Sequence, residues 1–285
     1  MTPTLFTSLN EFQYWRLGVP TASSLALVPT MGALHAGHEQ LIEKAKSLAR
    51  NVVVSIFINP LQFNDQDDLA KYPRTLQADI DICQKNRVDA IFAPHVEEIY
   101  PDSFDSTISA GPIGEFYEGV HRPGHFNGVL TVVDRIFTLL KPTVAVFGEK
   151  DFQQLVLIRR MAAFRHPGIG IASVPTVRDH DGLAFSSRNT RLAPPERILA
   201  TKLYESLCAI ESRFNSGIYD ARQLESIGRN YLNESGEISV HYLACVDAAS
   251  LMAIDSIVSP AVVLLAATIG NVRLIDNILL NTLVR

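Results

Sequence analysis

Cysteine is scarce and scattered: Cys83, Cys208 and Cys245 lie far apart in 285 residues, with no CxxC pair and no Cys/His ligand spacing. A zinc site or a disulfide framework therefore does not organise this chain, and the three thiols read as free groups in a reducing compartment. A basic surplus is missing as well, since 25 Lys and Arg stand against 30 Asp and Glu for a net charge of −5. Gripping a nucleic-acid backbone needs clustered positive charge, so nucleic acid is not an expected partner, although a nucleotide needs only a few local cations. The most apolar run, 261–269, is strand-sized and well short of the roughly 18 residues that a spanning helix requires, which argues against a membrane role. The first ten residues show no positive head followed by an apolar core, so the expected location is cytoplasmic. Neither a Walker phosphate loop nor a GxGxxG dinucleotide fingerprint occurs.

What is present is apolar residue in quantity, 47% of the chain against 19% charged, enough for two packed cores. Through the first 180 residues, short Val- and Ile-rich runs alternate with amphipathic stretches, the pattern of βα units around a mostly parallel sheet with helices on both faces. Strands are expected at 25–28, 52–58, 89–93, 143–147 and 170–174, and helices at 41–49, 76–85 and 129–140. After Val177 a polar loop leads to Pro194-Pro195, which opens a helix expected over 196–215. A helix at 221–232 and strands at 240–246 and 261–268 complete a smaller α+β domain. The boundary is expected near 178, giving domains 1–178 and 179–285.

Several segments could carry chemistry. The first βα connection reads Pro29-Thr30-Met31-Gly32-Ala33-Leu34-His35-Ala36-Gly37-His38. It brings two imidazoles to a helix N-terminus, where unpaired N–H groups and the helix dipole attract phosphate. The segment Gly148-Glu149-Lys150-Asp151 follows an apolar strand and places a lysine beyond its carboxyl end, where open parallel sheets bind ligands. Ser186-Ser187-Arg188-Asn189 supplies two hydroxyls and a guanidinium fork suited to phosphate oxygens. Asn59 and Gln62, at the end of another strand, offer uncharged amides for hydroxyls and a carboxylate. His121, Arg122 and His125 cluster three potentially cationic groups in five residues. Asp65, Asp67, Asp68, Asp79 and Asp81 are the acidic candidates for Mg²⁺. Each segment also has a plainer reading, as a turn, a solvated helix start or a polar hinge loop.

In order and spacing these segments resemble the pantothenate synthetase (pantoate–β-alanine ligase) family, within the HxGH nucleotidylyltransferase superfamily. The matching stretches are PTMGALHAGH at 29–38, SIFINPLQF at 55–63, YPRT at 72–75, HRPGHFNGVLTVV at 121–133, FGEKDFQQL at 147–155, DGLAFSSRN at 181–189, HYLACVD at 241–247 and VRLIDN at 272–277. The resemblance covers nearly the whole chain and implies a Rossmann-like first domain, with the second closing over the active site. It also implies ATP-dependent condensation of pantoate with β-alanine through a pantoyl-adenylate, releasing pyrophosphate and AMP. Met31 to His38, Gly148 to Asp151, Val177, Phe185, Ser186, Ser187 and Arg188 would then bind ATP, with His35, His38, Lys150 and Arg188 catalytic. Pantoate would lie against Gln62 and Gln154, with Asn59 and Arg122 also in the acid-binding part. Phe185 stands where the family usually has Met or Leu. Mg²⁺ with ATP and a homodimer are further implications. Two competing readings are adenylyl transfer to a phosphorylated acceptor and a non-catalytic nucleotide-binding module. Gln62 and Gln154 argue against the first, because uncharged amides suit a hydroxy acid better than a second phosphate.

Overall fold

The computed structural model describes residues 2–19, 24–64, 66–104 and 106–281. Its backbone divides into two compact units. The first runs up to Glu149 and resumes over Leu157–Pro175; the second takes Lys150–Val156 and the chain from Thr176 onward. No helix among the described residues is long and apolar enough to cross a membrane.

The first unit opens with β1 (Thr4–Phe6), α1 (Leu9–Gly18), β2 (Leu25–Thr30), α2 (Ala36–Leu48) and β3 (Asn51–Ile56). It continues through α3 (Gln66–Ala70), α4 (Leu76–Lys85), β4 (Ala90–Phe92) and the short helices α5 (Val96–Ile99) and α6 (Glu118–His121). Then follow α7 (His125–Leu140), β5 (Val144–Gly148), α8 (Phe152–Arg165), whose first residues belong to the second unit, and β6 (Gly170–Val174). The six strands pair in parallel in the order β1-β4-β3-β2-β5-β6. Leu25, Ala26, Leu27 and Val28 are all fully buried, as a continuous apolar run must be when helices cover both faces of a parallel sheet.

This topology decides where chemistry can sit. β2 pairs with β3 from Leu25↔Asn51 to Thr30↔Ile56 and with β5 at Ala26↔Val144 and Leu27↔Ala145. Chain order reverses there, with β3 and β4 on one side of β2 and β5 and β6 on the other. Segments leaving β2 and β5 at their carboxyl ends thus emerge side by side at the switch point, the usual ligand crevice of an open α/β sheet. Helix α2 is fixed against the sheet by Leu41, Ile42 and Ala45, which pack with Ala26, Val28, Val52, Val54 and Ile91. At about 1.5–3 kcal/mol for each large buried side chain, this contact holds the helix N-terminus at the strand end.

In the second unit, α9 (Pro194–Leu199), α10 (Thr201–Asn215) and α11 (Ala221–Asn233) precede β7 (Ile238–Asp247), β8 (Ala261–Ile269) and β9 (Val272–Leu280). The strands form an antiparallel sheet in the order β7-β8-β9. Its core joins Leu203, Leu207 and Ile210 of α10 and Leu224 and Leu232 of α11 to Val263, Leu265 and Ala267 of β8. The single helix expected over 196–215 is corrected to two. Ala200, fully buried, closes α9 through its N–H to Glu196 O, and α10 restarts at Thr201. The helix expected from 129 begins at His125, and β9 is a strand that the sequence pattern did not suggest.

Candidate active site

The loop between β2 and α2 is rigidly built. Thr30 Oγ1 donates to Ser55 O (2.8 Å) and accepts from Gly32 N (3.1 Å). Gly32 has φ +81°, and a side chain there would lie 3.0 Å from Asp79 Oδ2 and 3.1 Å from Ile56 Cγ2. Ala33 also adopts a left-handed φ of +52°, at a cost of roughly 1–2 kcal/mol. What holds it is Asp79, buried to 1% exposure, whose carboxylate accepts from Ala33 N at 3.1 Å and Leu34 N at 2.8 Å. Hydrogen bonds to a charged acceptor contribute about 1.5–3 kcal/mol each, enough to offset the strain.

The two histidines then cap α2. His35 Nδ1 accepts from Gly37 N (3.1 Å), and His38 Nδ1 accepts from His35 N (3.2 Å). The rings lie 4.1 Å apart, centroid to centroid, at 46°. A ring nitrogen that accepts from a backbone N–H cannot carry a proton, so this network assigns both imidazoles as neutral with the hydrogen on Nε2. Each therefore offers an N–H donor beside the positive end of a thirteen-residue helix.

A second cluster gathers around a tight turn at Pro60–Gln62, whose Gln62 is 7% exposed. Asn59, at 1% exposure, braces the loop. Its Oδ1 accepts from Leu61 N (3.2 Å) and Tyr100 Oη (2.9 Å), and its Nδ2 donates to Gly128 O (3.0 Å) and Gln62 Oε1 (3.2 Å). An amide has two donors and two acceptor sites, so none is left for a ligand. Gln62 differs, because its Nε2 donates to Met31 Sδ at 2.8 Å. A thioether is a weak acceptor that a substrate oxygen can displace. The Gln62 carbonyl accepts from His125 Nδ1 (2.8 Å) and Arg122 Nη2 (3.3 Å), while Arg122 Nη1 lies 2.9 Å from His125 Nε2. The HRPGH segment and the Gln62 turn thus form one structure, further tied by Asn64 donating to Pro123 O. Gly128 allows this approach: a Cβ there would stand 2.2 Å from Leu61 O. A cavity of about 380 Å³ lies against Met31, Gly32 and Pro60, within the size range of small-ligand sites, although Gln62 is not among its walls.

The remaining nominated groups lie in the second unit, apart from Gly148 and Glu149, which end the first segment of the first unit. Lys150 is four-fifths buried at its side chain, with its ammonium 3.9 Å from Asp151 Oδ2. Gln154, half-buried, makes no side-chain hydrogen bond among the described residues. Residues 177–185 form a hairpin in which Phe185 N donates to Val177 O (3.0 Å) and Asp179 N to Leu183 O (2.8 Å), so Val177 and Phe185, both expected to bind ATP, sit at its open end. Ser186 caps the following turn by accepting from Arg188 N at 3.2 Å, which leaves its hydroxyl hydrogen for a ligand. At the tip, Arg197 holds Asp179 (2.8 Å) and Asp181 (2.7 Å). Hydrogen bonds from His180, then Arg197, lower the Asp179 carboxyl to about 2.

Among the described residues, the acidic candidates Asp67, Asp79 and Asp81 are each engaged with the protein itself. Asp79 is committed to the loop, Asp81 accepts from Gln77, and exposed Asp67 lies 3.7 Å from Lys71. Asp65 and the side chain of Asp68 lie outside the described residues. Sequence reasoning missed the bracing roles of Tyr100 and Gly128, and it weighed Asp79 as a metal ligand or a solvated helix start, not as a brace.

A parallel sheet with a histidine-capped helix starting at its switch point has the layout of an α/β enzyme. The family model for pantoate-beta-alanine ligase matches residues 4–279. The structure is similar to pantothenate synthetase from Thermus thermophilus, with a TM-score of 0.92 and 39% identity over 98% of this chain and 100% of that one. It is also similar to a pantoate-beta-alanine ligase from Francisella tularensis, complexed with beta-gamma ATP and beta-alanine. There the TM-score is 0.81 and the identity 35%, over 98% of each chain. The chain belongs to the pantoate–β-alanine ligase family.

Proposed function

We propose that this chain condenses pantoate with β-alanine in two steps at the residues described above. The observation that carries the reading is the double histidine cap, which sets two neutral Nε2–H donors beside the N-terminus of α2 at the sheet's switch point. In the first step a pantoate carboxylate oxygen attacks the α-phosphorus of ATP, the bond to the β-phosphate oxygen breaks, and pyrophosphate leaves. No general base is needed, because a carboxylate with an ordinary pKa of about 4 is already ionised at neutral pH. The demand is electrostatic: charge grows on the phosphoryl oxygens, and preorganised donors meet it. His35, His38, Lys150, Ser186, Ser187 and Arg188 take that part, with Mg²⁺ arriving as the counter-ion of ATP. The backbone from Met31 to His38, the Gly148 to Asp151 segment, Val177 and Phe185 hold the rest of the nucleotide. Pantoate takes the amides of Gln62 and Gln154.

In the second step the amine of β-alanine attacks the acyl carbon, the acyl–phosphate bond breaks, AMP leaves, and the nitrogen loses a proton. Arg122, fixed beside the Gln62 turn, receives the β-alanine carboxylate. The family resemblance extends the reading to a cytoplasmic homodimer. With ATP and pantoate alone, one equivalent of pyrophosphate per active site should appear in a single turnover, while AMP waits for β-alanine. Pyrophosphate that appears only after β-alanine is added rules out the stepwise adenylate.

A further inference from the structure

The stretch VRLIDN at 272–277 is distinctive in the sequence, yet no chemical role attaches to it. It lies in β9, an edge strand paired only to β8. Two of its residues are unexpected there: Asp276 and Asn277 are 3% and 5% exposed. Burying a carboxylate and an amide is costly unless each finds partners. Asn277 Nδ2 donates to the backbone carbonyl of Lys150 at 2.8 Å. Asp276 takes both ends of the Arg178 guanidinium, at 2.6 and 2.9 Å, and accepts from Asn277 N at 2.7 Å. Arg178 in turn donates to Asn277 O (3.2 Å) and across the hairpin to Gly182 O (3.1 Å), and it stacks 3.7 Å over the Tyr204 ring.

Two adjacent residues therefore hold two separate segments. One is the backbone at Lys150; the other is the hairpin that carries Val177 and Phe185 and leads into Ser186. We propose that Asn277 is a positioning residue for the first half-reaction, acting through Lys150, with the Asp276–Arg178 pair setting the neighbouring hairpin in register. This rests on the reading of Lys150 as a phosphate donor. Asn277 touches no reacting atom. Its amide fixes where the lysine side chain starts, and the buried bidentate pair holds the Asn277 backbone from which that amide projects, at N and at O. The geometry suits this role, since a guanidinium held at both nitrogens by one carboxylate has little freedom to rotate.

A double-mutant cycle separates positioning from general stabilisation. Pyrophosphate release with ATP and pantoate would be followed in single turnovers of the full chain carrying Asn277→Ala, Lys150→Ala or both. Asn277→Ala should slow release about tenfold or more alone, and by less than about twofold in the Lys150→Ala background, because a brace has no further effect once its side chain is gone. Equal effects in both backgrounds overturn the inference and leave Lys150 in the mechanism. An unimpaired Lys150→Ala removes the reading beneath it. If Asn277→Ala does not fold, Asn277→Ser enters the same cycle, since its hydroxyl is too short to reach the Lys150 carbonyl.

Discussion

Replacing Gly128 with alanine tests whether helix α7 sets the position of Gln62. The added methyl would stand 2.2 Å from Leu61 O, 2.5 Å from Leu61 C and 2.8 Å from Gln62 N. All three are backbone atoms and cannot rotate away. Ordinary van der Waals contact begins at 3.4 Å, so the turn must retreat from the helix by roughly an ångström, a displacement of the size that can cost about 10²-fold in rate at a positioned group. Stability should change less. Alanine gains about 1 kcal/mol of helix propensity over glycine, while forcing a methyl into a filled contact costs about 1–3 kcal/mol. The net loss should stay within about 2 kcal/mol, leaving a folded protein. The assay is pantoate-dependent pyrophosphate release, with a thermal melt alongside. kcat/KM for pantoate should fall about 10²-fold while the melting transition stays cooperative. Wild-type kinetics in a folded Gly128→Ala protein would refute the argument that the helix fixes the Gln62 turn, or that Gln62 meets pantoate at all.

Lys150→Ala and His38→Ala should each lower turnover by on the order of 10²- to 10³-fold, the usual loss for one preorganised donor; Lys150→Ala should melt near wild type, and His38→Ala should lose about 0.5–2 kcal/mol with its cap but stay folded. Full turnover in either would remove that residue from the mechanism. Arg122→Lys should raise KM for β-alanine roughly tenfold, because an ammonium cannot grip a carboxylate at two points. Pyrophosphate release in the first half-reaction should hardly change, and a fall there instead would place Arg122 with the adenylate. A fourth outcome concerns acid stability. Burial opposes the charge on Asp134, but hydrogen bonds from Arg165 Nε (2.6 Å) and His166 Nε2 (2.8 Å) hold its carboxyl below the usual 3.8. A folded pKa below the unfolded one stabilises the protein above pH 3.8 and ceases to do so as pH falls through the folded value. Asp134→Asn should therefore cost about 1–3 kcal/mol at neutral pH in denaturant melts, and progressively less below that range. A constant difference at all pH values would show that the loss is one of packing.

The parallel sheet was legible because its central strands are buried on both faces. Residues 25–28, 52–54 and 145–147 are runs without polar interruption, and the helices between them carry an apolar stripe. Reading failed where local pattern and tertiary context part. β1 is three residues long and α1 buries only Phe12, so neither gave a periodic signal. α7 starts four residues before the expected point. His125 and Asn127 read as loop, and Gly128 is a poor helix former; only the turn packed against it explains why a glycine is needed there.

The site divides along the same line. Residues proposed to meet a ligand announce themselves by type and place, as the histidines at a strand end do. Residues that hold those side chains do not, because their chemistry points inward. Asp79 resembles a metal ligand in sequence, yet both its oxygens brace the loop before His35. Asn59 resembles a substrate amide, yet its hydrogen bonds are spent on the turn that aims Gln62. β9 shows the principle most clearly: Asp276 and Asn277, both buried, interrupt the apolar alternation that marks a strand, and so hid it. The strand forms nonetheless, because the ladder to β8 is complete from Ala261↔Leu280 to Ile269↔Val272. A sequence that breaks its local rule at buried positions still folds when the polar groups find partners, and here those partners are Arg178 and the Lys150 backbone. The apparent flaw in the strand pattern is therefore what ties β9 to Arg178 and to the Lys150 backbone.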